Sequence, residues 1–435
     1  MNVRALLLLA VIGAAGCRAA QPDAPAPPPD TAAVEPEPPP APPVAPADER
    51  PYVVLVSFDG MRHDFPARVA TPNMDRLAAG GVRAAGLVPA YPSKTFPNHY
   101  TLATGLYPSN HGLVDNVFYD PVFRDTYALG DRDKVRQGRW YFGEPIWVTA
   151  ERQGVLTASF FWVGTEASIQ GIRPTYFKAY RDDFPNPARV DTVLHWLGLP
   201  VERRPQLVLL YVSTVDAVAH RAGPDAAEVD SAVAAMDLLV GRLLDGIERL
   251  PVAGRVNVVL VSDHGMVGVP EENTIHLDDL VDLHDVRVLN NTTQALLYFD
   301  GDEARTWEVY DALTERLTNA TAYLREETPA HWHYRESRRI GELVVAAEPG
   351  WVLRTRDGRP WRGGGMHGWE PRDRRMHGIF LAAGPGIQRG VTLPAFENVH
   401  VHPFLARLLQ IEPAAGIDGR VDVLEPVLRE AVPAR

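Results

Sequence analysis

Cysteine is almost missing from this chain: Cys17 is the one instance in 435 residues. No internal disulfide can form, so a folded domain must be held together by packing. An excess of positive charge is missing as well. The formal net charge is −12, which excludes a broad nucleic-acid-binding surface but leaves room for a local pocket that takes one phosphate. The apolar stretch at residues 5–15 is too short to cross a bilayer. No internal repeat interrupts the chain. Hydrophobic content of 46% and charged content of 23% are those of a globular protein with material for a large core.

The N-terminus reads as a targeting segment. Arg4 supplies a positive charge, residues 5–15 an apolar region, and Ala14-Ala15-Gly16 precede Cys17. This arrangement resembles the lipobox of bacterial lipoproteins and makes residues 1–17 a signal peptide with Cys17 as the acylated residue. Arg18, rather than Asp, after the cysteine is compatible with outer-membrane sorting, so the expectation is a lipid-anchored protein facing the periplasm. An ordinary signal peptide cut nearby is the alternative. Residues 18–50 are rich in Pro and Ala, with Pro25-Ala26-Pro27-Pro28-Pro29 and Pro38-Pro39-Pro40, and read as an extended, disordered spacer.

From residue 51 to about 430, strand and helix patterns alternate, which is the signature of an α/β sheet. Three apolar runs end in candidate metal ligands. Residues 52–58 lead to Asp59, 207–213 lead into Asp216 and His220, and 256–262 lead to Asp263-His264. Runs of this kind read as strands buried on both faces, and sites in open α/β sheets form beyond the carboxyl ends of the strands. Between the second and third runs, Val229, Val233, Met236, Leu239, Leu243 and Ile247 recur at helical steps over 225–250, as a crossover helix should. Residues 271–362 read as a small α+β insertion, and the main sheet resumes at 378–383.

Taken singly, the motifs are weak. Asp216-Ala-Val-Ala-His220 on a helix would share one face, but it describes a capping Asp and a surface His equally well. Asp263-His264 at a buried strand end needs compensation by a metal or an ion pair. Gly363-Gly364-Gly365-Met366-His367 and Met376-His377 offer two histidines. His367, in the glycine loop, is the expected ligand, and His377, at the start of an apolar strand, is the expected structural residue. Pro97 marks a helix start, which places Thr95 at the positive end of a helix.

The ordered set is specific. Ser57-Phe58-Asp59-Gly60, Lys94-Thr95-Phe96-Pro97-Asn98-His99, His111-Gly112 with Asn116, Asp216 with His220, Ser262-Asp263-His264-Gly265-Met266 and His367-Gly368 together resemble the nucleotide pyrophosphatase/phosphodiesterase family of the alkaline phosphatase superfamily. The resemblance implies an alkaline-phosphatase-like fold, with a mostly parallel central sheet flanked by helices. It also implies two Zn2+ ions, one held by Asp216, His220 and His367, the other by Asp59, Thr95, Asp263 and His264. Mixed imidazole and carboxylate ligands suit zinc, and do not exclude manganese or iron. The implied chemistry is hydrolysis of phosphodiesters or pyrophosphates of nucleotides, with Thr95 as nucleophile, a phosphothreonine intermediate and Asn116 as donor to a phosphate oxygen, assisted by backbone N–H groups at the helix start. Phe96 and Tyr211 match positions that sandwich a nucleobase, with Trp162 and Phe177 completing the wall. Ser213-Thr214-Val215 departs from the acidic-Pro segment of the animal enzymes.

Three other functions compete. A phosphomonoesterase or phosphonate hydrolase would use the same metals but surround a dianion with positive side chains, and Lys94 beside Thr95 fits that need. A sulfatase would require a Cys or Ser nucleophile and an Arg that Thr95-Phe96-Pro97-Asn98-His99 lacks. A non-catalytic, membrane-tethered binding protein would tolerate loss of a ligand or nucleophile, yet all are present.

Overall fold

The three ligand-bearing runs form adjacent strands at the centre of one sheet. In the computed structural model, which describes residues 50–290 and 292–429, β1 (Tyr52–Phe58), β2 (Gly81–Ala84), β3 (Thr157–Phe160), β4 (Tyr176–Lys178), β5 (Leu207–Val212) and β6 (Val256–Val261) belong to this sheet. Strand β1 pairs in parallel with both β5 and β6, and β3 pairs in parallel with β5 and β4. Every residue of β1, β5 and β6 is buried. Side chains alternate between the faces of a strand. Accordingly Val53 and Leu55 join one apolar core, while Tyr52, Val54, Val56 and Phe58 join a second on the opposite face. Helices cover both faces, which is what a parallel sheet requires.

The helix pattern read at 225–250 is the helix Ala227–Glu248, whose Val229, Val233, Met236, Leu239, Leu243 and Ile247 are buried against the sheet. Two shorter helices carry the chemistry: α1 (Thr95–Thr104) and α2 (Thr214–Ala222).

After β6 come β7 (Val267–Val269), β8 (Arg287–Asn290), β9 (Gln294–Tyr298), β10 (Ala320–Leu324), β11 (Leu343–Ala347) and β12 (Gly364–Met366). Strands β8, β9, β11 and β10 form a four-stranded antiparallel sheet with the helix Glu303–Arg316, in the segment read as an α+β insertion. The main sheet then regains β13 (Phe380–Ala383), which runs antiparallel to β6 and β2, and β14 (Val391–Leu393). The sheet is therefore mixed, parallel through its centre and antiparallel at β13. The described residues fall within one compact unit. The signal peptide, Cys17 and nearly all of the Pro-rich segment lie outside the described residues. Among the described residues no helix is long and apolar enough to cross a membrane.

Candidate active site

Each ligand reaches the site because its strand ends there. Asp59 leaves β1 and donates its backbone N–H to Val212 O of β5 at 2.9 Å, while Asp216 N–H donates to Asp59 O at 3.1 Å. The two strand ends are thus tied edge to edge. Gly60 then turns with φ of +67°, and a Cβ there would stand 2.9 Å from Asp216 Cβ. Only glycine permits both the left-handed turn and this approach. The α2 helix carries Asp216 and His220 one turn apart on one face. Its companion His367 follows β12, whose partner β7 lies just after the Asp263-His264 corner.

These side chains converge. His220 Nε2 lies 3.3 Å from Asp216 Oδ1, and His367 Nε2 lies 3.6 Å from the same oxygen. His264 Nε2 lies 3.0 Å from Asp263 Oδ2, 3.4 Å from Asp59 Oδ1 and 3.2 Å from Thr95 Oγ1. Two groups could each hold a metal ion: Asp216, His220 and His367, and Asp59, Asp216 and His264. All six Asp and His residues singled out from sequence, together with Thr95, are therefore brought together.

The histidine hydrogen bonds test the fit to a metal. Nδ1–H of His220 donates to Gly365 O at 2.8 Å, that of His264 to Gly265 O at 2.9 Å, and that of His367 to Ser93 O at 2.9 Å. Each backbone carbonyl selects the tautomer that leaves Nε2 with a free lone pair, the usual outer support of a metal-ligating histidine. Yet His220 Nε2 and His367 Nε2 stand only 3.2 Å apart. Asp59 Oδ1, Asp216 Oδ1 and Asp263 Oδ2 are buried and accept no hydrogen bond. Lone pairs and carboxylate oxygens at these separations repel unless a proton or a metal cation lies among them; against the lowering effect of burial, Asp216 pushes the His220 imidazole up and Asp263 that of His264. Burial, then the neighbouring Asp263 and Asp216 charges, hold the Asp59 carboxyl well above the usual carboxylate range. Burial and His264 push the His367 imidazole well below its ordinary value. The donor set fits divalent metal.

Thr95 is the first residue of α1, with Lys94 as its N-cap. His99, one turn on, places Nε2 2.8 Å from Ser57 Oγ and Nδ1 2.9 Å from Thr95 O, with Asp263 Oδ2 at 3.3 Å. It braces the helix that begins at Thr95 against Asp263, a role that the motif alone did not disclose. Asn116 Oδ1 accepts the Phe96 N–H at 3.0 Å, which leaves the Asn116 NH2 group to donate. That backbone N–H is engaged inside the protein, so the expected help from the helix start does not come from Phe96.

A cavity of about 360 Å3 opens beside Thr95, Asn116, Asp59, Asp216, His220 and His367. Phe96 and Trp162 line it as expected, with Phe161, Tyr180, Tyr141 and Leu129. One of the expected wall residues needs correction, and another has a second partner. Phe177 is not among the lining residues: it sits on edge strand β4, 40% exposed, with its ring against Arg173. Strand alternation sends it away from the cavity. Tyr211 does line the cavity, but it is mostly buried and its hydroxyl donates to Asp59 Oδ2 at 2.6 Å. Tyr180, in an irregular segment without periodicity, is an exposed-side wall residue that no sequence pattern marked. Lys94 is also reassigned. Its ammonium is buried against Asp115 at 2.9 Å, and the side chain does not line the cavity. His377 belongs to neither candidate metal group and lies edge-on to His63 with ring centroids 6.0 Å apart.

Comparison with known proteins finds relatives in both sequence and fold. The sequence model of the type I phosphodiesterase / nucleotide pyrophosphatase family matches residues 53–378. The chain is 34% identical over 376 residues to human ectonucleotide pyrophosphatase/phosphodiesterase family member 1, covering 84% of this chain and 40% of that protein. It therefore spans about two fifths of the length of the human relative. An uncharacterized pyrophosphatase/phosphodiesterase of Schizosaccharomyces pombe is 33% identical, covering 87% of this chain and 80% of the yeast protein. Among solved structures, an inactive form of murine ectonucleotide pyrophosphatase/phosphodiesterase 5 in complex with AMP superposes with a TM-score of 0.82 at 29% identity, covering 87% of this chain and all of that one.

Proposed function

This chain belongs to the type I phosphodiesterase / nucleotide pyrophosphatase family, and from that premise we propose that it is a two-zinc hydrolase of nucleotide phosphodiesters or pyrophosphates that works through a phosphothreonine at Thr95. The observation that carries the reading is the cluster of three imidazole Nε2 atoms and three unpartnered carboxylate oxygens, which reaches Thr95 Oγ1 through His264 Nε2 at 3.2 Å. Asp216, His220 and His367 would hold one ion, and Asp59, Asp263 and His264 with Thr95 the other. When bound, the metals supply Lewis-acid chemistry: they favour the deprotonated hydroxyl nucleophile and neutralise charge on the phosphate.

The chain's own residues do the rest. Thr95 sits at the N-terminus of α1, where the helix dipole favours an anionic phosphate. Its Oγ attacks phosphorus, the bond to the leaving group breaks, and water later cleaves the Thr95–phosphate ester. Asn116 donates its NH2 group to a non-bridging oxygen. The cavity wall of Phe96 and Tyr180, backed by the buried Trp162, accommodates the second group of a diester, and rings such as Phe96 and Tyr180 stack on many bases. An AMP complex of a structural relative is in keeping with a nucleotide here. The phosphomonoesterase alternative loses its main support, because Lys94 is committed to Asp115 away from the cavity.

The reading is tested with zinc-loaded protein and Thr95→Ala, comparing bis-p-nitrophenyl phosphate, p-nitrophenyl phosphate and p-nitrophenyl-TMP. Diesters are preferred, TMP most, and turnover disappears in the variant while zinc is retained. A preference for the monoester would move the protein to the phosphatase class. We also propose that Cys17 anchors the protein by acylation to a bacterial outer membrane; Cys17→Ala should release it from the membrane fraction, and unchanged membrane association would overturn this.

A further inference from the structure

A closed ring of bonds surrounds the nucleophile. Lys94, 3% exposed, reaches Asp115 Oδ1 at 3.0 Å and Oδ2 at 2.9 Å. The next residue, Asn116, accepts the Phe96 N–H. The chain from Lys94 through Thr95 to Phe96 is thus bonded at both ends to the dipeptide Asp115-Asn116. Displacing either segment displaces the other, so Thr95 and the phosphate donor Asn116 keep one spacing.

The third side comes from the insertion. Gln294, on β9 and fully buried, donates Nε2–H to Asp115 Oδ2 at 2.5 Å. Tyr334, also from the insertion, donates its hydroxyl to Val114 O at 2.8 Å. Gly368, immediately after ligand His367, closes over the lysine stem: at φ of +121° it leaves no room for a Cβ, which would meet Thr293 Oγ1 at 2.1 Å and Lys94 Cε at 2.9 Å. A buried ion pair is a poor device for stability, since well-packed apolar groups in its place are often as good. Its value here lies in direction: a carboxylate with four lone pairs ties three segments at once, which no apolar side chain does.

We propose that Lys94, Asp115 and Gln294 form a buried strut that sets the spacing between Thr95 and Asn116, making the insertion a working part of the catalytic centre. They are positioning residues, since none of the three lines the cavity. The proposal rests on the reading of Thr95 as nucleophile and Asn116 as phosphate donor.

The test uses the full zinc-loaded protein with Lys94→Met/Asp115→Leu, Gln294→Leu and Thr95→Ala. The double variant should melt within a few degrees of the parent, hold the same zinc, and keep KM for p-nitrophenyl-TMP while kcat falls about 100-fold, the scale expected for a displacement of about 1 Å. Gln294→Leu, which keeps the ion pair, should lower kcat about 10-fold on the same reasoning. A folded, zinc-loaded double variant with parental kcat, or losses confined to KM, would overturn the strut. If the double variant does not fold, Gln294→Leu decides alone, and parental kcat in it overturns the proposal. An active Thr95→Ala would remove the premise itself, and so is distinguishable from failure of the strut.

Discussion

Replacing Tyr211 by Phe separates two roles that one side chain combines. The ring lines the cavity, and the hydroxyl donates to Asp59 Oδ2 at 2.6 Å with both groups buried. Tyr211→Phe keeps the ring and removes the donor. Asp59 Oδ1 accepts no hydrogen bond, and burial, followed by Asp263 and Asp216, already holds its carboxyl well above the usual range. Tyr211 is among the groups that pull it back. Losing that donor favours the protonated carboxyl, which does not ligate metal. A hydrogen bond to a charged group is worth about 2 kcal/mol, or roughly 30-fold in metal affinity, within the range usual for outer-sphere partners. Zinc affinity is measured by competition with a chromophoric chelator, and KM for p-nitrophenyl-TMP under saturating zinc. The variant should bind zinc about 30-fold more weakly at an unchanged KM. Parental zinc affinity, or a higher KM with full occupancy, would refute the assignment of Tyr211 to Asp59 and restore it to base stacking.

Three further outcomes follow from the same coordinates. Phe96→Ala should raise KM for p-nitrophenyl-TMP by about 10-fold, the lower end of base–aromatic stacking, and leave bis-p-nitrophenyl phosphate nearly unchanged; equal effects on both would place the base elsewhere. Gly60→Ala forces a Cβ to within 2.9 Å of Asp216 Cβ at φ of +67°, and should cost about 2 kcal/mol of stability or more together with zinc retention, read by thermal melts and metal analysis. His402 is fully buried; its Nδ1–H donates to Ala103 O at 2.7 Å and its Nε2 accepts Ala414 N–H at 3.3 Å. Burial pushes its imidazole down to about 4 from 6.5. The unfolded chain takes up this proton near 6.5 and the folded protein only near 4, so stability present above 6.5 is lost as pH falls through that window, by about 3 kcal/mol in all. Denaturant melts at several pH values should show a shallower acid slope for His402→Gln, and equal slopes would refute the argument.

Much of the fold was legible because burial on both faces leaves a mark in sequence. The runs that became β1, β5 and β6 carry no charged residue, the first charges, Asp59, Asp216 and Asp263, coming only after the strands end, and the crossover helix shows its period in six apolar positions. The candidate metal-binding residues were legible for the related reason that charges at buried strand ends are costly unless compensated. The choice between His367 and His377 turned on the loop, and the structure places His367 beside Asp216 and His220 in a group that could hold a metal ion. Side-chain partners were not legible. Lys94 reads as a free cation beside a nucleophile until Asp115, 21 residues on, is seen against it. Tyr211 reads as a stacking ring until its hydroxyl meets Asp59, 152 residues away. Phe177 and Tyr180 lie three residues apart, and only the course of β4 and the loop after it turns one to solvent and the other to the cavity.

Sequence alone determined which residue types stand at which strand ends, and with them the reaction class we propose, because parallel strands deliver their carboxyl ends to one edge. Tertiary structure decided the tautomer of His220, His264 and His367, the walls of the cavity and the bonds between Lys94, Asp115 and Gln294 beneath Thr95. Each of these depends on a carbonyl or carboxylate contributed by a distant segment, such as Ser93 O for His367 and Gln294 for Asp115. Such pairings are set by how layers pack, and no local pattern encodes them.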